Sequence, residues 1–159
     1  MAYEFKPLTA DVASAASAVV RRSIVECCGD DHAGRPEVIE TWTANKTPDN
    51  FRQWLSAPQA AVGAWHRGEL VAVALVNDAS LLLCYAVPEA LHQGVGQRLL
   101  WAAEEGARAA GVKEIRLDST RTALHFYLRN GYACAGEPQH WAGLTAQPMC
   151  KRLAPRHDD

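Results

Sequence analysis

The sequence predicts one α/β domain, in the α+β sense of a central mixed, mostly antiparallel sheet flanked by helices. Three observations predict it. Apolar residues recur at helical spacing in the first third, residues 60–87 change to consecutive strand-like runs, and residues 94–118 read as a helix followed by a strand. At 159 residues and 48% hydrophobic, the chain suits a single substantial core. The domain is expected to span residues 1–154, with a short frayed tail at 155–159.

Tyr3 to Lys6 fits a short first strand. Thr9 is expected to cap a helix in which Val12, Ala15, Ala16, Val19, Val20 and Ile24 recur at helical spacing, ending near Cys28-Gly29. Gly29 to Gly34 reads as a polar loop. Pro36 and Pro48 each fit the first turn of a short helix, and Thr47 is a cap for the second. Ala60–His66 and Leu70–Val76 flank the turn Arg67-Gly68-Glu69, the pattern of a hairpin. Leu81–Val87 is apolar on both faces, as a central strand covered by helices would be.

A helix over Gly94–Ala110 presents Val95, Leu99, Ala103, Gly106 and Ala110 on one face, small enough for close packing on a sheet. Val112–Asp118 alternates as a strand and returns beside the previous one through a right-handed crossover. Arg121–Asn130 is helical with Gly131 as its left-handed terminator, and Tyr132–Ala135 and Pro148–Leu153 close the sheet.

Composition excludes several function classes. A net charge of −2 gives no general attraction for nucleic acid or an anionic membrane. The longest apolar runs, Leu70–Val76 and Leu81–Val87, fall far short of the ~18 residues a membrane span needs. No basic-then-apolar leader precedes Leu8, so a cytoplasmic protein is expected. The five cysteines are odd in number and lack zinc-ligand spacing, which predicts buried reduced thiols and no bound metal.

The chemistry concentrates in Pro88 to Leu100, where a strand gives way to Gly94-Val95-Gly96 and a helix. First-turn N–H groups have no partner within a helix, and the helix dipole adds roughly half a positive charge there, so this turn is a cradle for phosphate. A dinucleotide site is disfavoured. Leu99 stands at the third glycine position, six residues separate strand from glycine, and too little chain follows for the remaining strands. A P-loop is excluded because no Lys-Ser or Lys-Thr pair follows the glycines.

Two motifs in order resemble the GNAT superfamily of N-acetyltransferases. Cys84-Tyr85-Ala86-Val87-Pro88 followed by Leu91-His92-Gln93-Gly94-Val95-Gly96 is similar to its cofactor motif, with Leu91 where Gln or Arg is usual and Ala86 where Val is commoner. Ala123-Leu124-His125-Phe126-Tyr127-Leu128-Arg129-Asn130-Gly131-Tyr132 resembles the family's Ala-x-x-Phe-Tyr-x-x-x-Gly-Phe. The asparagine often found before that tyrosine is absent, and Thr120 is the nearest polar substitute.

The resemblance implies a GNAT-like domain whose sheet splays in a V beside Leu81–Val87, with the pantetheine arm of acetyl-CoA filling the gap. Backbone groups of Cys84, Tyr85 and Ala86 would pair with that arm, His92, Gln93, Gly94, Val95, Gly96 and Gln97 would hold the pyrophosphate, and Thr120 would line the site. Tyr127 would be the general acid: tyrosine titrates near 10 and is still protonated when a thiolate leaves. Arg98 meets a phosphate or faces solvent. Cys84 is a structural thiol or, less economically, an acyl-carrying nucleophile.

The reaction so implied moves acetyl from acetyl-CoA to a primary amine; the alternative is a non-catalytic module that senses coenzyme A. No carboxylate lies on Leu81–Ala86, which leaves Glu26, Asp30, Asp31, His32, Asp118 and His140 as candidate bases. Asp30, Asp31 and His32 either attract a cationic amine or form a solvated loop. Trp42, Trp54 and Trp141 either wall the acceptor pocket or pack in the core. A small amine, an antibiotic, an amino acid and a peptide N-terminus or lysine all fit as acceptor, and Trp101 on a polar helix side hints at a homodimer contact.

Overall fold

The computed structural model describes residues 2–155; most of the expected tail, 156–159, lies outside the described residues. Eight strands form a sheet in the order β1-β2-β3-β4-β5-β8-β6, with β7 paired to β8 off this path. The strands are β1 (Glu4–Pro7), β2 (Ala60–His66), β3 (Glu69–Asn77), β4 (Ser80–Ala86), β5 (Glu114–Ser119), β6 (Ala133–Cys134), β7 (Gln139–Trp141) and β8 (Leu144–Arg152). Every pairing is antiparallel except β4 with β5.

That exception shapes the molecule. β4 is paired to β3 along its whole length, whereas it meets β5 only at Ser80↔Arg116. The Arg116 N–H donates to the Ala79 carbonyl beside this pair, and beyond it the strands part. The β5-facing edge of β4 from Leu83 to Ala86 is therefore open.

Helices α1 (Ala13–Cys27) and α5 (Val95–Ala109) pack on the sheet, joined by α2 (Gly29–His32), α3 (Pro36–Thr43), α4 (Pro48–Trp54) and α6 (Leu124–Arg129). Ile24 and Val20 of α1, Leu99 and Leu100 of α5, and Val73, Leu75 and Val76 of β3 are fully enclosed. Burying each such side chain contributes about 1.5–3 kcal/mol. Small residues permit the close approach of α5: a methyl on Gly106 would lie 2.9 Å from the Ala60 Cβ. Pro36 and Pro48 do open helices, and the Thr47 side chain accepts from the Asn50 N–H at 3.2 Å.

Several expectations are corrected. Thr9 does not cap α1; its hydroxyl bonds Asp11, and a 3-10 turn over Ala10–Val12 intervenes. Residues Gly29–His32 form a short helix and not a loop, because His32 is an internal strut. Its Nε2 bonds the Ile24 carbonyl at 2.8 Å, and its Nδ1 accepts from the Gly34 N–H at 2.9 Å. Leu82 is half exposed, so β4 is not covered on both faces. Cys28 is buried, Cys27, Cys84 and Cys150 are partly buried, and Cys134 is exposed. Among the described residues no helix is long and apolar enough to cross a membrane, and no cluster of three His, Cys, Asp or Glu side chains could hold a metal.

Candidate active site

The open edge of β4 forms one wall of a cavity of about 760 Å³. Cys84, Tyr85 and Ala86 line it from β4, and His92, Gly94, Gly96 and Gln97 from the following turn and α5. Thr120, Ala123, Phe126, Arg129 and Asn130 face it from α6 and the turn before it, while Ser23, Cys27 and Cys28 come from α1.

The mouth of the cavity is built by the turn into α5. His92 and Gly94 both have left-handed backbone, with φ of 60° and 78°. Gly94 is the N-cap residue, no side chain caps the helix, and the first backbone donation back along it is Arg98 N–H to the Gly94 carbonyl at 3.2 Å. The N–H groups of Val95, Gly96 and Gln97 thus belong to the unsatisfied first turn. A Cβ at Gly94 would meet nothing within 4 Å, so the requirement for glycine there is conformational, and the space above it is free for a ligand.

The turn is braced from behind. Arg22 of α1 forms a two-pronged pair with Glu89, and also bonds Glu26. Gln93 accepts from the Tyr3 hydroxyl at 2.9 Å and donates to the Glu89 carbonyl at 2.9 Å. Gln93 is therefore a strut of the turn, its side chain away from the cavity. The Val95 side chain is likewise in the core. Of its two alternatives Arg98 takes the solvent one: it does not line the cavity and is exposed, with its guanidinium 4.2 Å over the Phe5 ring.

Tyr127 lies behind the cavity wall, 7% exposed, with its phenol beside the Cys84 thiol. Burial pushes this phenol well above its ordinary value, reinforced by the neighbouring Cys84 and Tyr85. Burial likewise pushes the Cys84 thiol up to about 12, a rise that the neighbouring Tyr127 phenol partly opposes. At neutral pH both protons are in place, and Cys84 is a poor nucleophile. Thr120 accepts from the Ala123 N–H at 3.1 Å, shaping the start of α6, and Gln97 donates to Asn130 at 3.2 Å, joining α5 to α6.

The six candidate bases divide clearly. Both ring nitrogens of His32 are engaged internally, and Glu26 is paired with Arg22. Asp31 accepts from the backbone N–H groups of Arg121 and Thr122 at 2.7 and 3.3 Å, so it fixes the turn before α6 and is not a free lure for cations. Asp30, Asp118 and His140 are exposed and do not line the cavity. Trp42 is buried, Trp54 packs on Phe51 at 5.1 Å, and Trp141 is exposed. Phe126, Arg129, Asn130 and the α1 thiols also line the cavity, although the sequence gives them no role; Phe126, Arg129 and Asn130 do lie inside the second motif.

A family model described as an acetyltransferase (GNAT) domain matches residues 30–153, most of the chain. The chain belongs to the GNAT acetyltransferase family. The family uses acetyl-CoA as acyl donor.

Solved structures agree on the fold of this GNAT domain. A GCN5-related N-acetyltransferase from Rhodopseudomonas palustris is 24% identical, with a TM-score of 0.84 over 96% of this chain and 97% of that one. The PaiA N-acetyltransferase from Thermoplasma acidophilum, solved in complex with coenzyme A, is 23% identical, with a TM-score of 0.77 over 96% and 99%. The ribosomal-protein-S18-alanine N-acetyltransferase from Escherichia coli is 17% identical, with a TM-score of 0.65 over 99% and 98%. A search of the curated proteins gives no significant match.

Proposed function

We propose that this GNAT domain transfers acetyl from acetyl-CoA directly to a primary amine, with Tyr127 as general acid and no covalent acyl-enzyme. The observation that carries this reading is the Tyr127 phenol, kept protonated by burial beside Cys84 of the cavity wall and the open edge of β4. Bound in the cavity, acetyl-CoA would supply a thioester carbonyl for the amine to attack and a thiolate to leave.

The residues fit that ligand. Free N–H groups of Val95, Gly96 and Gln97 suit its pyrophosphate, with His92 and Arg129 as nearby basic side chains. The unpaired edge of Cys84, Tyr85 and Ala86 offers backbone donors and acceptors to an extended arm, and fixed N–H donors there stabilise developing negative charge on the acyl oxygen. Tyr127 hands its proton to the departing sulfur. Against reference values this transfer is uphill by roughly 2 kcal/mol, and burial of the phenol adds to the gap. The hydrogen bond must therefore form as the carbon–sulfur bond lengthens. The high value of the Cys84 thiol weighs against a covalent route through that residue.

Thermal unfolding with acetyl-CoA, coenzyme A, NAD and ATP in parallel tests the ligand. About 100 Kd of the correct one adds roughly 2.7 kcal/mol, a rise of order 5–10 °C for a chain this size. A response to NAD alone overturns the reading. Release of free thiol from acetyl-CoA with spermidine, an aminoglycoside, free lysine and a short peptide then separates transfer from mere coenzyme binding, since a sensor would bind and release none.

A further inference from the structure

Glu104 is a buried carboxylate, 4% exposed, at the middle of α5. Such a group is costly unless it is neutralised and hydrogen-bonded. Here it is both. The Tyr132 hydroxyl donates to Oε2 at 2.8 Å, and Lys151 Nζ from β8 lies 3.0 and 3.1 Å from the two oxygens. The same ammonium sits 5.5 Å from the centre of the Tyr132 ring.

Tyr132 is fixed at both ends, because its backbone N–H also donates to the Tyr127 carbonyl at 3.0 Å. Between those anchors its ring meets Tyr127 edge-on, with centroids 5.5 Å apart at 66°. Phe126 contacts Tyr127 at 5.3 Å and 68°, and the phenol lies beside Cys84. Well-packed apolar side chains would fill these positions without burying any charge, so stability alone does not account for an ionic set behind the phenol.

We infer that Glu104, acting through Tyr132, is a positioning residue that holds the Tyr127 phenol against the cleft, with Lys151 balancing its charge. The inference rests on Tyr127 being the general acid. It gives α5 two tasks: its first turn opens on the cavity, and its middle fixes the group that protonates the leaving sulfur.

Steady-state kinetics of Tyr132→Phe, with acetyl-CoA and the fastest amine of the panel (or water, by thiol release, if none reacts), test it. The variant keeps the ring and the backbone bond and loses only the hydroxyl. Its kcat should fall about tenfold, the effect of a modest misplacement, with KM for acetyl-CoA changed by less than about twofold. In a Tyr127→Phe background the same change should alter kcat by less than about twofold, because the group being positioned is gone. Glu104→Gln, which still accepts from the Tyr132 hydroxyl, should retain more rate than Glu104→Leu; if the latter does not fold, the Tyr132→Phe pair decides.

An unchanged kcat in Tyr132→Phe overturns the inference, as does an equal loss in both backgrounds. A Tyr127→Phe enzyme with full rate instead removes the acid assignment itself, a failure visible in that single variant.

Discussion

The Asp31 carboxylate accepts from the Arg121 backbone N–H at 2.7 Å across 90 residues of sequence, tying the end of the first helical region to the turn that opens α6. Thr122 adds its N–H and its hydroxyl to the same carboxylate. One side chain thereby fixes the backbone that carries Thr120, Thr122 and Ala123 on the cavity wall.

Asp31→Ala should therefore loosen this turn, costing about 1 kcal/mol in urea unfolding and reducing the thermal shift given by coenzyme A. Asp31→Asn, which still accepts, should recover part of both. A variant as stable and as responsive as the parent would show that the turn holds itself.

Gly94→Ala separates conformation from space. The residue sits at φ +78°, and an added methyl group would have no neighbour within 4 Å. The expected loss is thus a left-handed penalty of roughly 1 kcal/mol and no clash. Because the same turn presents the α5 N–H groups, coenzyme A affinity should fall too; isothermal titration checks this, and undiminished affinity would argue against the turn as the phosphate cradle.

Tyr127→Phe should lower kcat by about a hundredfold or more, the usual range for a general acid, with coenzyme affinity nearly unchanged. Since burial holds the phenol well above its ordinary value, its deprotonation should not curtail kcat below about pH 10. An equal loss of rate and affinity would make the tyrosine structural.

Buried thiols and phenols also set an alkaline limit. Burial raises Cys84 and Cys28 to about 12 each, and raises Tyr85, Tyr127 and Tyr132 above their ordinary values. The unfolded chain ionises first, at about 8.5 for thiols and about 10 for phenols. The folded state then binds more protons, and stability falls as pH rises. Their contribution is whole below about pH 8 and is lost progressively above it. Urea midpoints should decline from pH 8 to 10.5. In the native protein at pH 8, only about one part in ten thousand of Cys84 would be thiolate. Iodoacetamide should therefore label exposed Cys134 first and Cys28 and Cys84 last, as mass spectrometry would read.

Much of the fold was legible because it rests on local periodicity. The β2–β3 hairpin, the helix from Val95 and the proline-opened helices follow from residue spacing and capping chemistry within a few residues of one another. The glycine turn was legible for the same reason: positive φ at Gly94 is a property of that position. Gln93 and Arg98, by contrast, belong to the motif by spacing yet turn to Tyr3 and Phe5. The Gly29–Gly34 segment reads as a polar loop because nothing nearby shows that His32 reaches back to Ile24, or that Asp31 reaches forward to Arg121.

By itself, then, the sequence determined most of the elements, their order, the glycine turn before α5 and the motif tyrosine, all written in short-range chemistry. Only the tertiary structure decided that β4 and β5 meet at a single pair, that the Tyr127 phenol lies beside Cys84, and that Glu104, Tyr132 and Lys151 converge behind it. Glu104 stands 28 positions from Tyr132 and 47 from Lys151, and β4 and β5 are linked through a whole helix. Such partners are chosen by how the helices and sheet pack, which no local pattern encodes.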